Sequence, residues 1–247
     1  MSEPEIECIT APNPGPMTLE GTNTYLVGRE PAIVIDPGPA DEGHIEAVRG
    51  SAAARGGIGD VLLTHSHGDH SDGVEMLGVN PTELGDGEAK SGIVAIATPG
   101  HAADHLCFVI APGHPAAPDA NGSICFSGDL ILGEGSTIVP PAEQGGSLAE
   151  YMDSLRKLAD LDLEAIYPGH GPVITEPDAK IAEYIEHRES RERRLLEALE
   201  RGQRSRLALL DEVWDDVPAE LRPAAAYAMQ AHLDKLEAEG RLPELSE

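Results

Sequence analysis

The sequence is poor in several residue types, and each shortage excludes a class of protein. Among its 247 residues there are only three cysteines, Cys8, Cys107 and Cys125, and they are widely spaced. This number and spacing exclude a disulfide framework and a zinc site built from thiolates, and they favour a reducing compartment. Aromatic residues make up only 3% of the chain, so we expect a core that is mainly aliphatic.

The chain also lacks the hydrophobic segments that direct proteins to membranes. No run of about 18 apolar residues is present, which excludes a membrane-spanning helix. The first residues, Met-Ser-Glu-Pro-Glu, are acidic and lack an apolar stretch, so they do not predict a secretory signal. Together with the small number of cysteines, these observations predict a cytoplasmic protein without a membrane partner.

Basic residues are scarce relative to acidic ones. Asp and Glu number 44 against 17 Lys and Arg, which gives a formal net charge of −27. This charge repels polyanions, so nucleic acid is a possible but disfavoured partner, and a small molecule is the favoured one. An acidic surface suits a cytoplasm of high salt concentration, where repulsion is screened, and it equally suits a GC-rich organism with acidic proteins in general. The oligomeric state is left open by the composition.

The chain divides near residue 176 into two segments of different pattern. In residues 1–176, short apolar runs alternate with helical stretches. The predicted strands are 24–27, 32–35, 60–64, 93–98, 106–110, 123–127 and 165–167, and the predicted helices are 42–55, 71–77 and 148–158. In residues 177–247, the pattern is helical, with a long helix from Pro177 to Gly202 and shorter helices at 207–215 and 224–239. We therefore predict an α/β layered domain followed by a small helical domain.

Histidines are concentrated in one short motif that follows the predicted strand 60–64. The stretch Thr64-His65-Ser66-His67-Gly68-Asp69-His70 places three histidines and one aspartate within six residues. Residues two apart in an extended segment point the same way, so His65 and His67 can bind one metal ion together. Imidazole and carboxylate ligands without thiolate favour zinc, with iron or manganese as alternatives.

Three further candidate ligands follow predicted strands. They are His101, Asp129 and His170, and each comes directly after a glycine. The carboxyl ends of strands in α/β folds gather active-site groups, so we expect these side chains to meet the histidine motif. Five histidines and two aspartates give each of two metal ions about four ligands if one carboxylate bridges them.

This set of motifs resembles the metallo-β-lactamase superfamily. The resemblance implies an αββα sandwich with a two-metal site between its sheets. It implies that His65, His67 and His101 hold the first metal, that Asp69, His70 and His170 hold the second, and that Asp129 bridges the two. Asp36, in Val34-Ile35-Asp36-Pro37-Gly38, matches an early aspartate that usually orients the metal-binding loop without binding metal. Members of the superfamily that use redox iron have the motif His-x-Glu-x-Asp. This sequence has His67 in place of that glutamate, which disfavours membership of that branch.

Further segments resemble the β-lactamase-like protein 2 subgroup of that superfamily. They are residues 23–28, 127–137, 151–155 and 167–174, with 184–192 and 232–240 in the helical tail. The resemblance implies that residues 177–247 form a small winged-helix-like domain close to the active site. Relatives in the subgroup include an endoribonuclease that acts on single strands, glyoxalase-II-like thioester hydrolases and polyketide thioesterases.

The resemblance implies a binuclear metal-dependent hydrolase, in which a hydroxide bridging two zinc ions attacks a carbonyl or phosphoryl centre. Asp69 is expected to orient this nucleophile and to accept its proton. The negative charge of the chain favours a small ester or thioester as substrate. The alternative is a metal-dependent endoribonuclease acting on single-stranded RNA. A third class, a binding or regulatory module, is suggested only by the tail.

Three more residues are candidate substrate contacts. His105 lies four residues after His101. It is either a packed, structural histidine or a residue that contacts the substrate or carries protons. Arg188 and Arg191 fall on the apolar face of the long predicted helix, which is expected to pack against the body of the protein. Each arginine then needs an anionic partner, either an acidic group of the first domain or a carboxylate or phosphate of the substrate. The histidines without ligand spacing are expected to be structural or surface residues: His44, His114, His187 and His232.

Overall fold

The computed structural model describes residues 5–246 of the chain. Residues 1–4, on which the expectation about a secretory signal mainly rests, and residue 247 lie outside the described residues. No helix within the described part is both long enough and apolar enough to cross a membrane.

Two sheets form the centre of the molecule, and in each the strands lie in chain order. The first sheet contains β1 (Ile6–Thr10), β2 (Asn23–Val27), β3 (Ala32–Ile35) and β4 (Ile58–Leu62). The second contains β5 (Ala89–Lys90), β6 (Ile93–Ala97), β7 (Leu106–Ile110), β8 (Ser123–Gly128) and β9 (Leu163–Pro168). The last pair of each sheet is parallel and the other pairs are antiparallel. Strands β6, β8 and β9 therefore run in the same direction and end at one edge.

The helices lie outside the sheets and in the tail. They are α1 (Glu42–Ala54), α2 (Gly68–Ser71), α3 (Gly73–Leu77), α4 (Leu148–Ala159), α5 (Pro177–Glu200), α6 (Arg206–Val213) and α7 (Arg222–Ala238). The single helix predicted at 71–77 is in fact two short helices that meet at Asp72. Strands β1 and β5 were not predicted. The other predicted elements agree with the structure to within about two residues at most ends.

Alternating side chains along the strands sort the core into layers. In β8, Ile124 and Phe126 pack between the two sheets, whereas Cys125 faces the helices on the other side. The outer face of the first sheet packs against α1 and α3. The outer face of the second sheet packs against α4 and the first half of α5. The layers run helix, sheet, sheet, helix, which confirms the predicted αββα sandwich.

Helix α5 is shared between the sandwich and the tail. Its first half packs Ile181 and Tyr184 into the core beside the second sheet, whereas Leu195 and Leu199 belong to the core of the tail. One continuous helix of 24 residues therefore joins the two cores. In the described part of the tail, α5, α6 and α7 are accompanied by one short 3-10 turn and by one isolated bridge. The predicted domain boundary at residue 176 coincides with the start of this helix.

Candidate metal centre

All seven predicted metal ligands meet at one edge of the two sheets. The loop after β4 and the short helix α2 provide His65, His67, Asp69 and His70. The second sheet provides His101 after β6, Asp129 after β8 and His170 after β9. The parallel direction of these three strands explains why residues far apart in sequence arrive together.

Three histidines form the first group of ligand atoms. His65 Nε2 lies 2.9 Å from His67 Nδ1, which in turn lies 3.0 Å from His101 Nε2. The three rings are arranged edge to face, with centroids between 4.5 and 5.1 Å apart. Nitrogen atoms that converge in this way can bind one metal ion. We call this group the first triad.

Asp69, His70 and His170 form the second triad. Asp69 Oδ2 lies 3.2 Å from His170 Nε2 and 3.6 Å from His70 Nε2. The candidate ligand atoms within each triad all lie within 4.8 Å of one another. The second triad therefore offers one carboxylate and two imidazoles to a second metal ion.

Asp129 lies between the triads and directs one oxygen toward each. Its Oδ2 is 3.6 Å from His101 Nε2 in the first triad. Its Oδ1 is 3.4 Å from the Nε2 atoms of both His70 and His170 in the second. A carboxylate in this position could contact metal ions held by both triads.

Two buried atoms at the centre of the site have no hydrogen-bond partner in the described structure. They are His70 Nε2 and Asp129 Oδ1, which lie 3.4 Å apart but are not hydrogen-bonded. A polar atom left unpaired in the interior costs free energy. A bound cation would coordinate both atoms, so the residues fit a metal centre. The donors are imidazole nitrogen and carboxylate oxygen, which suit zinc, iron and manganese.

The outer ring nitrogens of the ligands are held by the surrounding backbone. His101 Nδ1 donates to the carbonyl oxygen of Ile138 at 2.8 Å, and His170 Nδ1 donates to that of Gly21 at 3.1 Å. Each bond fixes the ring orientation and the position of the proton, and it leaves Nε2 free to coordinate a metal.

Asp36 lies behind the ligands, where it holds the loop that carries them. Its backbone φ is 49°, a left-handed conformation that is costly for a residue with a side chain. Its carboxylate accepts the backbone N–H and the hydroxyl of Thr64, both at 2.7 Å. The same carboxylate lies 2.9 Å from His70 Nδ1. Asp36 therefore orients a ligand from the side opposite the metal position.

Glycine is required at two positions beside the ligands. At Gly169, a side-chain carbon would lie 2.6 Å from an atom of His70 and 2.7 Å from Asp129 Oδ1. Gly128 has a φ of 47°, and a side-chain carbon there would lie 2.5 Å from the hydroxyl of Thr64. The Gly-Asp and Gly-His motifs thus leave room for the side chains that converge on the site.

Burial and neighbouring charges shift the pKa values of the candidate ligands in opposite directions. Burial lowers the pKa of His65 well below its ordinary value, and the positive charge of His70 lowers it further. Burial also opposes protonation of His170, but the nearby carboxylates of Asp129 and Asp69 raise its pKa to about 9. Burial acts to raise the pKa of Asp129, but the charge of His70 and the proximity of His170 hold it well below its ordinary value. Asp129 is therefore charged at neutral pH, as a metal ligand must be.

His105 has no free nitrogen to offer a substrate. Its Nδ1 lies 2.9 Å from the hydroxyl of Thr98, and its Nε2 accepts the backbone N–H of Asp129 at 3.2 Å. Burial, together with the nearby charge of His101, lowers its pKa to about 3, so the ring is neutral. The structure places His105 behind Asp129 and not in the lining of the cleft, which favours a packed, positioning histidine over a substrate contact.

A cleft of about 830 Å³ opens above the two triads. Its floor contains His67, Asp69, His101, Asp129 and His170. Its walls come from residues 16–19, residues 132–140 and the tail. They include the exposed apolar side chains of Met17, Leu221 and Tyr227. Apolar walls around a few convergent polar groups are typical of a small-molecule site.

Arg191 lines this cleft, but its guanidinium is engaged within the tail. It forms an ion pair with Asp216 at 2.8 Å and donates to the carbonyl oxygen of Val213. It also lies over the ring of Trp214, 5.5 Å from the centroid. Its acidic partner comes from the tail, whereas the sequence analysis had expected a structural partner from the first domain.

Arg188 lines the same cleft with different partners. It donates to the hydroxyl of Ser136 at 2.9 Å and to the carbonyl oxygen of Thr137. Its Nε is buried and makes no hydrogen bond, and within residues 5–246 no carboxylate lies within 4.0 Å of its guanidinium. A buried arginine without a counter-ion is costly, so Arg188 is the better candidate of the two for an anionic group of the substrate.

Several residues that build the site were missed by the sequence analysis. Asn23 donates through its side chain to the carbonyl oxygens of Pro168 and Gly171, at 3.0 and 2.8 Å. Tyr25 donates to the carbonyl oxygen of Pro168 at 2.7 Å. These bonds tie the loop of His170 to the first sheet. The only signal in the sequence is a buried strand with a polar residue, which does not reveal its partner.

Comparison with known proteins identifies the family. The protein-family model of the metallo-beta-lactamase superfamily matches the sequence at residues 17–78 and 73–170, which together span more than half of the chain. The chain belongs to the metallo-beta-lactamase superfamily. It is accordingly a metallo-hydrolase, because members of this superfamily are metal-dependent hydrolases. The model of the beta-lactamase associated winged helix domain matches residues 206–246, which confirms the predicted character of the tail.

Curated relatives agree with this assignment, and a solved structure shares the fold. A beta-lactamase-like protein 2 homolog of Drosophila melanogaster is 34% identical over 271 residues, covering 93% of this chain and 87% of its own. The lactamase-like protein adaB of Aspergillus niger is 39% identical over 228 residues, covering 81% of this chain and 67% of its own. The crystal structure of a metallo-beta-lactamase family protein from Thermus thermophilus matches with a TM-score of 0.75 and 23% identity, covering 96% and 95% of the two chains. The predicted resemblance to this superfamily and subgroup is confirmed.

Proposed function

We propose that this superfamily member uses two divalent metal ions, with zinc preferred, to hydrolyse a small ester or thioester. One observation carries the proposal: the two oxygens of Asp129 each face a different triad, at 3.4 to 3.6 Å from the nearest ligand nitrogens. A centre for a single metal ion would need only one triad and would leave the other as an unexplained cluster of buried imidazoles. Iron and manganese have the same ligand preferences and are the alternatives.

The metal ions, when bound, supply an activated water as nucleophile and stabilise the negative charge that develops on the substrate. Asp69 is the residue of this chain that is best placed to manage the proton. Its side chain is 30% exposed at the floor of the cleft, and its Oδ2 is directed at His170. Burial acts to raise the pKa of Asp69, but the hydrogen bond with His170 and the charge of His70 lower it overall. The carboxylate is therefore charged and can orient the water by accepting a hydrogen bond from it; Asp69 is also the group proposed to take the proton, although its lowered pKa makes it a weak base.

The cleft favours a small substrate with apolar groups. Met17, Trp214 and Tyr227 supply apolar contact area on opposite sides of it. Of the described residues that line the cleft, the only arginines are Arg188 and Arg191, and both are bonded to other groups of the protein. A backbone of phosphates would therefore find few free cations in a chain of net charge −27. This supports an ester or thioester over single-stranded RNA.

A substrate panel tests this proposal. The zinc-loaded protein is assayed with an acyl thioester, an aryl ester, a lactone, a phosphodiester and a short single-stranded RNA. We expect kcat/KM for the thioester or ester to exceed that for the phosphodiester by about a hundredfold, which corresponds to roughly 3 kcal/mol in barrier height. Cleavage of the RNA without turnover of any ester or thioester would contradict the proposal and would favour the alternative function, a metal-dependent endoribonuclease. No turnover of any compound by metal-loaded protein would favour a binding or regulatory module.

A further inference from the structure

A second cavity lies between α4, α5 and α7, and it shares Arg188 with the wall of the cleft above the metal ligands. Its volume is about 280 Å³, which is close to the lower limit of roughly 300 Å³ for small-molecule pockets. It is lined by apolar side chains such as Met152 and Leu196 and by a larger number of charged ones. We call it the helical groove. Its wall contains none of the seven predicted metal ligands.

The wall of the helical groove contains a histidine that lacks hydrogen bonds. His232 is 1% exposed, and neither of its ring nitrogens has a partner in the described structure. A neutral imidazole has one donor and one acceptor, and leaving both unpaired in the interior costs free energy. Arg188, which also lines the groove, has a buried Nε without a partner. Two unsatisfied polar side chains therefore border one cavity.

Positive side chains outnumber negative ones in this wall. Among the described residues that line the groove, five are Arg or Lys and two are Glu. Glu192 is shared by Lys235 at 2.7 Å and Arg241 at 3.2 Å, and Glu189 lies 3.5 Å from Arg156. An excess of cations around a cavity is unusual in a chain with a net charge of −27.

Three further carboxylates pair with the same cations from outside the groove. They are Asp153, Glu186 and Glu239, whose side chains are between 35% and 78% exposed. Ion pairs at such exposed positions typically contribute less than about 1 kcal/mol each. Arg156, Arg193 and Arg241 can therefore turn from these carboxylates to a bound anion at little cost. Lys235, in contrast, is only 15% exposed and would contact the anion while keeping its pair with Glu192.

We propose that the helical groove binds a small molecule through an oxyanion group, either a carboxylate or a phosphate. Lys235 and Arg241 provide the charged contacts, and His232 donates a hydrogen bond from its ring. An oxyanion accepts several charge-assisted hydrogen bonds at once, which satisfies the unpaired donors in the wall. Met152 and Leu196 contact the apolar body of the ligand. This site contains none of the predicted metal ligands and does not rest on the proposed hydrolase activity, although Arg188 lies in the walls of both the groove and the cleft.

Isothermal titration calorimetry of the full-length protein tests this proposal. Sodium phosphate is titrated into the protein at constant ionic strength, sodium acetate is titrated in a parallel series, and sodium chloride is the reference. We expect saturable binding of phosphate, of acetate or of both. The two series distinguish a phosphate site from a carboxylate site.

Variants then locate the bound anion. Lys235→Met should weaken binding by about tenfold or more, the scale of a lost charge-assisted hydrogen bond. Arg241→Met, at a side chain that is 45% exposed, is the second variant in case Lys235→Met does not fold. The matched control is Arg201→Met, which removes an equally positive side chain that pairs with Glu212 outside the groove. An anion held at the metal centre would bind equally to all these variants. That result, or the absence of binding beyond chloride, would overturn the proposal.

Discussion

At the scale of single residues, the chemistry of the site depends most on Asp129. Its side chain is nearly buried, its backbone N–H is held by His105, and its two oxygens face the two triads. Its position directly after β8 and beside Gly128 fixes the direction of the carboxylate. Its carboxylate also converges with His65 of the first triad and His70 of the second, and the candidate ligand atoms of these three residues lie within 4.8 Å of one another.

Asp129→Ala should therefore abolish most of the activity while the fold survives. The variant loses a ligand to both metal ions, and we expect kcat/KM to fall by about a hundredfold or more. Circular dichroism and the hydrolysis of the best substrate from the panel measure the two effects. Asp153→Ala, which removes an exposed carboxylate on α4, is the control and should retain its rate. If the Asp129→Ala variant is folded and hydrolyses the substrate nearly as fast as the wild type, Asp129 is not part of the catalytic site.

The candidate metal ligands could be predicted from the sequence, but the residues that hold these ligands in position could not. His65, His67 and His70 are clustered in sequence, so their shared chemistry is visible without a fold. The partner of His105 is the backbone of Asp129, 24 residues away, and such a contact has no local signature. For that reason the sequence analysis kept His105 as a candidate substrate contact beside the packed alternative, whereas the structure places it behind a ligand.

At the scale of elements, α5 connects the tail to the metal centre. The Tyr184 hydroxyl accepts the backbone N–H of Leu132 at 3.0 Å, and Arg188 is bonded to residues 136 and 137. The next residue, Ile138, accepts the hydrogen bond that orients His101. The helix thus supports the segment that holds a predicted ligand of the first metal. Periodicity predicted the inward face of this helix but could not predict what that face contacts.

Arg188→Met and Arg191→Met should separate a substrate contact from a structural ion pair. Arg191→Met breaks the pair with Asp216, so we expect a lower Tm and a loss of about 1–3 kcal/mol in the free energy of unfolding, with KM unchanged. Arg188→Met should raise KM for an anionic ester and spare a neutral ester of the same acyl group. Thermal unfolding and KM for the two esters are the measurements. Equal effects of Arg188→Met on both esters would exclude the substrate contact.

The tail should also lose stability at acid pH through His232 on α7. Burial, together with the charges of Arg188 and Lys235, lowers the pKa of His232 to about 3, against about 6.5 in the unfolded chain. As pH falls through this interval the unfolded state binds the proton first. Keeping His232 neutral therefore costs the folded state nothing above about pH 6.5. Below that pH the free energy of unfolding falls, by up to about 1.4 kcal/mol per pH unit, until the pH reaches about 3.

His232→Phe removes this titration and should flatten the dependence of stability on pH between pH 6 and 4 by about that amount. Urea denaturation at several pH values measures the slope in both proteins. His105 also has a lowered pKa, but it contributes to both proteins and cancels in the difference. His187 interacts with His232 through its charge, so any change in the titration of His187 forms part of the measured difference. Identical slopes for the variant and the wild type would contradict the assigned environment of His232.

At the scale of the whole molecule, two sheets bring ligands from several loops to one edge, and the tail closes one side of the cleft above them. The α/β layered domain was predictable because its strands and helices differ clearly in hydrophobic period, whereas the αββα arrangement was implied by the resemblance to the superfamily. Strand β1 was missed because Ile6–Thr10 is only half buried and its pattern is weak. The contribution of the tail to the cleft, through Trp214 and Tyr227, depends on tertiary packing and leaves no periodic signal. The acidic surface is consistent with a small substrate. It fits both a cytoplasm of high salt concentration and a GC-rich organism with acidic proteins in general.

The central claim is a binuclear centre bridged by Asp129, and the metal content of the purified protein tests it most directly. Elemental analysis of protein expressed with added zinc and not dialysed should find between one and two metal equivalents per chain, approaching two at saturation. The Asp129→Ala variant, prepared in the same way, should hold clearly less. A wild-type value near zero would contradict the metal site, and a value that stays at one equivalent under saturating zinc would contradict the bridged pair.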